Sequence, residues 1–102
     1  MEVTVPIFKS QLKNGFTLSK IKELYKNKYN GPLVKYCDDS EDGFISAGIL
    51  SGKDSMIVSA YGNDDRIILV ARYDNLGKGA SGAAVECLNI ILGNDDTEGL
   101  EV

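Results

Sequence analysis

The 102-residue sequence has no histidine, no tryptophan, two prolines and two cysteines. Without histidine there is no Ser–His or Cys–His nucleophilic pair, no imidazole metal ligand and no imidazole acid or base near neutral pH. Much self-contained catalysis is excluded before any motif is read. Cys37 and Cys87 lie far apart with no CxxC, which removes zinc-ribbon and thioredoxin-type chemistry. No stretch reads as a charged leader followed by an apolar segment, and no apolar run reaches the length that crosses a bilayer. The expected setting is therefore cytoplasmic, with both thiols reduced and each serving as a small buried hydrophobe rather than forming one disulfide. Positive charge is also short. Eleven basic residues face fifteen acidic ones, for a net charge of −4 and a pI near 4.7. That is the reverse of a nucleic-acid footprint, so neither a nucleic acid nor a membrane is an expected partner.

What remains is an ordinary globular composition, 43% hydrophobic and 25% charged. The length suits one domain, which buries about 60–65% of the surface of its unfolded chain. Charge is unevenly spread. Residues 9–36 carry seven lysines against Glu23 alone, whereas residues 52–102 carry four cations against nine acids. Tyr25, Tyr29 and Tyr36 among those lysines can be read as an RNA surface, but a solvated helix face is the simpler reading.

Along the chain, Val3, Val5 and Ile7 alternate with Glu2, Thr4 and Pro6, the pattern of a half-buried strand. Pro6 cannot donate to a ladder and places that strand at an edge or a bulge. Met1 leads straight into the pattern, a start expected of a piece cut from a longer protein. Lys13-Asn14-Gly15 is a turn, and Thr17 can cap a helix in which Leu18, Ile21, Leu24 and Tyr25 share one face. Asn30-Gly31-Pro32 stops it. A short strand over Leu33–Cys37 and an acidic loop over Asp38–Asp42 follow. Gly43–Leu50, Ser55–Tyr61 and Arg66–Tyr73 are strand candidates, with turn residues at 51–54 and 62–65. The last of them is apolar on both faces, as a central strand should be. Gly62-Asn63-Asp64-Asp65 recurs at 93–96, but four turn-forming residues make no repeat, and the spacing is wrong for a calcium loop. The order predicts one α+β domain with two helices and a mainly antiparallel sheet of about five strands.

The helix expected over Ala80–Leu92 has only Ser81, Glu86 and Asn89 as polar residues. Apolar side chains around most of its circumference call for burial on several sides. One small sheet covers one side, so the sequence implies an absent partner surface. Just ahead of the helix, Gly77-Lys78-Gly79-Ala80-Ser81-Gly82 matches GxGxxG after a strand and before a helix. A dinucleotide fingerprint also needs a following strand and an acidic residue about 20 positions on, and a Walker loop needs Gly-Lys-Ser/Thr. Neither is present. The motif reads as a tight strand-to-helix turn able to touch a ligand held elsewhere.

The stretch Tyr73-Asp74-Asn75-Leu76-Gly77-Lys78-Gly79-Ala80-Ser81-Gly82-Ala83-Ala84-Val85 resembles the C-terminal signature of the N-acetyl-gamma-glutamyl-phosphate reductase family, in its shorter sequence type. Glu86 through Gly93, ECLNIILG, resembles the end of that signature, with Glu86 and Cys87 where the family carries Gln and Asn. The opening Met1–Pro6 and the Tyr29-Asn30-Gly31 region resemble earlier parts of it more loosely.

The resemblance implies the last third of an NADP-dependent enzyme of arginine biosynthesis. It reduces N-acetyl-glutamyl phosphate to the semialdehyde by way of a cysteine thioester, with a histidine as acid and base. Neither Cys37 nor Cys87 has the context of the family cysteine, so this chain carries no catalytic residue and no metal ligand. Residues 1–102 are expected to form part of the substrate, or dimerisation, domain, of the type seen in semialdehyde and glyceraldehyde-phosphate dehydrogenases. The helix over 80–93 is expected to pack on the absent N-terminal nucleotide-binding domain. Asn75, Gly77, Lys78 and Gly79 are the implied cofactor-binding residues, at the nicotinamide end of NADP. A homo-oligomer is expected. The competing reading is an autonomous α+β module that binds a ligand or dimerises through the apolar helix and has no enzymatic activity.

Overall fold

The computed structural model describes residues 1–40 and 42–102; Glu41, in the expected acidic loop, lies outside the described residues. Strand β1 spans Glu2–Phe8, helix α1 Leu18–Lys28, and strands β2 to β4 Val34–Tyr36, Met56–Gly62 and Arg66–Tyr73. A π-turn over Gly77–Ser81 then leads into helix α2, Gly82–Leu92. The sheet order is β1-β4-β3-β2, with β1–β4 and β3–β4 antiparallel and β2–β3 parallel.

The expected fold class holds as a small α+β domain with two helices, but the sheet has four strands among the described residues and is mixed. The missing strand is Gly43–Leu50, which forms turns instead. Asp42 and Gly43 both adopt positive φ, 48° and 82°, which breaks extended backbone at its start. Two carbonyls of this segment accept from cations, Ala47 from the Met1 ammonium at 2.9 Å and Ser46 from Arg72 at 3.4 Å, and those of Gly48 and Leu50 accept from the turn amides of Ser51 and Lys53.

The remaining local signals act as expected. Thr17 caps α1 by accepting from Lys20 N–H at 3.3 Å. Phe16 N–H closes the Lys13-Asn14-Gly15 turn on Lys13 O at 3.2 Å. In the β3–β4 hairpin, Asn63 Oδ1 accepts from the N–H groups of Asp65 and Arg66, both at 3.0 Å. Pro6 lies on edge strand β1 opposite Ile68. Helix α2 ends where Gly93 takes a left-handed φ of 71°, closed by Asn94 N–H on Asn89 O at 3.0 Å.

The register puts Val5, Ile7, Ile67, Leu69 and Ala60 on one sheet face. Helix α1 lies over the β2–β3 half of that face, where Ile21, Ala60 and Ile67 form the core with Leu12, Leu18 and Leu69 around them. One eleven-residue helix does not reach β1, so Val3 and Val5 stay exposed instead of half-buried as their alternation predicts. The opposite face carries Ile57, Ser59, Val70 and Arg72, all buried, with the 37–55 connection over it. That connection is held by Ser59 Oγ donating to Cys37 O at 2.6 Å.

Helix α2 does not lie on the sheet; its main neighbour is the π-turn that feeds it. The radius of gyration, 15.0 Å, exceeds the roughly 13 Å of a compact domain of this length. Leu88, Ile90, Ile91 and Leu92 are 52–79% exposed, while the helix's polar Asn89 is buried. Asn89 holds the C-terminal segment by donating to Glu98 O at 2.9 Å and Asp96 O at 3.4 Å. Cys87 is exposed on this helix and Cys37 is half-buried, which corrects the expectation that both thiols are core residues. The cause for Cys87 is that nothing among the described residues covers its face of α2. No helix among the described residues is long and apolar enough to cross a membrane.

Candidate functional site

Strand β4 runs directly into the turn that carries the glycine motif. Asp74, the first residue after the strand, organises it. Its Oδ2 accepts from Gly52 N–H at 2.7 Å, and its Oδ1 accepts from Leu76 N–H at 2.7 Å and Gly77 N–H at 3.1 Å. The N–H groups of Gly52, Leu76 and Gly77 favour the ionised form and hold this carboxyl below its usual range. One side chain thus fastens the turn to itself and to the neighbouring 50–54 loop.

The turn continues with bonds spanning five residues, the π-helical pattern. Gly79 N–H donates to Asp74 O at 2.9 Å and Ser81 N–H to Leu76 O at 3.0 Å, and Gly82 N–H closes on Gly77 O. Ser81 Oγ adds a bond to Leu76 O at 2.8 Å.

The glycines have a reason inside the chain. A Cβ on Gly77 would meet Lys53 O and, at 2.9 Å, Asp54 Oδ1; one on Gly82 would meet the Asp54 carboxylate, with Cγ at 2.8 Å. The motif therefore lets the 53–54 loop press against the turn and the start of α2. That loop is tied in turn to the C-terminal segment, with Asp54 N–H on Glu101 O at 2.6 Å and Glu101 N–H on Asp54 Oδ2 at 3.0 Å.

The four residues singled out in the sequence all lie on this turn but face different surroundings. Asn75 is exposed at the tip, and its amide makes no hydrogen bond among the described residues. Leu76 beside it is 75% exposed. Gly77 is half-buried against the 53–54 loop, and Gly79 is exposed next to the Tyr73 ring. Lys78 turns away from the tip and forms an ion pair with Glu86 on α2; the two side chains are only 11% and 22% exposed. The tip thus offers an amide and backbone, with the Lys78 ammonium already paired. It can donate to and accept from a neutral amide-like group.

A second cluster escaped the sequence reading. Arg72, the last-but-one residue of β4, is 1% exposed. Its Nη2 pairs with Asp39, its Nη1 donates to Ser46 O at 3.4 Å, and its Nε has no partner among the described residues. Beside it opens a cleft of roughly 730 Å³, lined by Phe44, Ile45 and Ile49 together with Asp39 and Asp42. The available signal was an arginine within RIILVARY at the register position that shares a face with Val70. Among the described residues no group of three or more acidic or cysteine side chains is placed to hold a metal.

No protein-family model matches the chain. Curated relatives do. The chain is 36% identical over 92 residues to an N-acetyl-gamma-glutamyl-phosphate reductase of Corynebacterium diphtheriae, with 89% of this chain and 26% of that protein covered. It is 38% identical over 99 residues to the Brucella ovis protein of the same name, covering 91% of this chain and 32% of that protein, and a Brucella canis protein of that name matches equally. The resemblance read from the sequence therefore extends over about nine-tenths of the chain. The chain spans about a quarter to a third of the length of these relatives.

Proposed function

We propose that this chain is the C-terminal part of an NADP-dependent N-acetyl-gamma-glutamyl-phosphate reductase, a cytoplasmic enzyme that reduces an acyl phosphate to N-acetyl-glutamate semialdehyde in arginine biosynthesis. The observation that carries the proposal is the match of nearly the whole chain to a minor part of proteins bearing that name. On this reading the thioester-forming cysteine and the acid–base histidine belong to the rest of the enzyme, in keeping with a chain that has no histidine. The exposed Cys87 and half-buried Cys37 have no catalytic task.

Residues 1–102 then form a substrate-domain segment of the dehydrogenase-like type, and the helix over 80–93 packs on the N-terminal nucleotide-binding domain. The uncovered side chains of α2 support this. Full burial of a Leu or Ile contributes roughly 1.5–3 kcal/mol, so four of them left 52–79% exposed make a strong drive toward a partner. Asn75 reaches the nicotinamide carboxamide of NADP from the tip, and Gly77, Lys78 and Gly79 bring backbone up beside it. The cofactor is held mainly by the other domain, and the assembled enzyme is a homo-oligomer.

The test is NADPH-linked turnover of N-acetyl-glutamyl phosphate. The 102-residue chain alone is expected to be inactive, and co-expression with the preceding part of the enzyme is expected to restore activity. In the full-length enzyme, Asn75→Ala should raise the KM for NADPH or lower kcat by roughly three- to tenfold, the size of one or two neutral hydrogen bonds. Turnover by the chain alone would overturn the division of labour, and unchanged kinetics of Asn75→Ala would remove the turn from the cofactor site.

A further inference from the structure

In a regular α-helix, residues eight apart stand about 80° out of line. Lys78 and Glu86 are eight apart, yet their charged groups pair. The π-turn over Gly77–Ser81 makes this possible, because its wider winding takes up the excess angle and brings both side chains onto one side. The pair in turn bridges the π-turn to the second turn of α2. Of the turn's other side chains, Ser81 Oγ bonds within the turn and Asp74 ties it backward to residue 52, while the Asp54 carboxylate packs beside Gly77 and Gly82 from the neighbouring loop. Lys78 is also largely withdrawn from solvent, so its charge is not presented at the tip where Asn75 stands.

We propose that Glu86 is a positioning residue: by holding Lys78 it locks the π-turn onto α2 and keeps the lysine's charge away from Asn75, so that the Asn75 amide meets its ligand without a lysine ammonium beside it. This rests on the preceding reading only for the identity of the ligand, the nicotinamide end of NADP. Lys78 then contributes backbone to the site and not an ammonium for a phosphate.

The experiment has two arms. In the 102-residue chain, Lys78→Met, Glu86→Gln and the double variant are compared by thermal unfolding. Each single variant is expected to lower Tm, and the double variant to lower it no further than the worse single one. Additive losses would show that the two side chains are not coupled and would overturn the lock.

In the full-length enzyme, KM for NADPH and kcat are measured against ionic strength for the same variants and for Glu86→Asp. Lys78→Met removes the ammonium and keeps the backbone, so KM for NADPH in this variant should keep the parent's dependence on ionic strength. Glu86→Gln frees the ammonium, so KM for NADPH should become steeply salt-dependent. That dependence should vanish in the double variant and in Glu86→Asp. A tenfold or larger rise in KM from Lys78→Met alone, with Glu86→Gln silent, would make Lys78 a phosphate contact and overturn the proposal while keeping the cofactor reading. If Asn75→Ala is silent while the Tm coupling is present, the cofactor reading fails and the lock stands.

Discussion

The most demanding prediction concerns Arg72. Its guanidinium is withdrawn from water, one nitrogen has no partner among the described residues, and Asp39 supplies the compensating charge. Breaking a buried pair from one side costs about 3–5 kcal/mol, because the remaining charge stays buried without compensation. Asp39 keeps 26% of its side chain exposed, and an asparagine in its place can still accept one hydrogen bond. Asp39→Asn should therefore fall lower, at about 2–3 kcal/mol. For a domain of this length that corresponds to a fall in Tm of roughly 10–20 °C.

Arg72→Met removes the charge and the unpartnered nitrogen together and keeps most of the volume. The carboxylate left behind reaches water, so this variant should stay within about 1 kcal/mol of the parent or gain stability. Asp39→Asn in the Arg72→Met background should then cost about 0.5 kcal/mol or less. Urea titration followed by far-ultraviolet circular dichroism measures all four proteins. Arg72→Met as damaging as Asp39→Asn would refute the reasoning, since it would mean the ion pair itself stabilises the fold and not merely that its half-removal harms it.

Gly82→Ala should destabilise although alanine favours helix by about 1 kcal/mol, because the new Cβ meets the Asp54 carboxylate; a rise in Tm would show that the 53–54 loop yields freely. Asp74→Asn should remove part of the acid sensitivity of the fold. The folded carboxyl titrates below the 3.8 of the free group, so its contribution is complete above pH 3.8 and is lost as pH falls through the lower folded value. Unfolding profiles from pH 6 to 2 that coincide for parent and variant would refute this. Ile91→Glu, at a side chain 79% exposed, should leave the stability of the isolated chain within about 0.5 kcal/mol yet abolish reconstitution with the rest of the enzyme. Reconstitution at the parental yield would remove α2 from the interface.

Local chemistry made much of this legible. Thr17, Pro6, Asn63 and Gly93 each act within a few residues of themselves, and each does what its type predicts. The apolar excess of α2 was legible for a different reason: composition records a need for cover even when the cover is elsewhere. Gly43–Leu50 was misread because alternation of Phe44, Ile45, Ala47 and Ile49 says nothing about available neighbours, and both sides of the β3–β4 hairpin are taken by β1 and β2. Arg72 and Glu86 were missed because their roles depend on pairing across register. Asp39 lies 33 positions before Arg72, and Glu86 meets Lys78 only through a winding that no α-periodic template contains. The glycine turn was found as a motif, but its purpose inside the chain, room for Asp54, is a tertiary fact.

The pairing of β1 with β4 sets Glu2 opposite Arg72, at nearly the two ends of the ordered sheet sequence. Strands β3 and β4 need only the three residues 63–65 between them to meet. The hairpin is therefore the part expected to assemble first, with α1 closing over it and β1 arriving last, after the largest loss of chain freedom. The same order runs backward in the native protein. Backbone amides of β1 should exchange with solvent through excursions that leave the hairpin intact. The edge that is slowest to arrive is then expected to open before the hairpin does, so that its loss leaves a three-strand remnant.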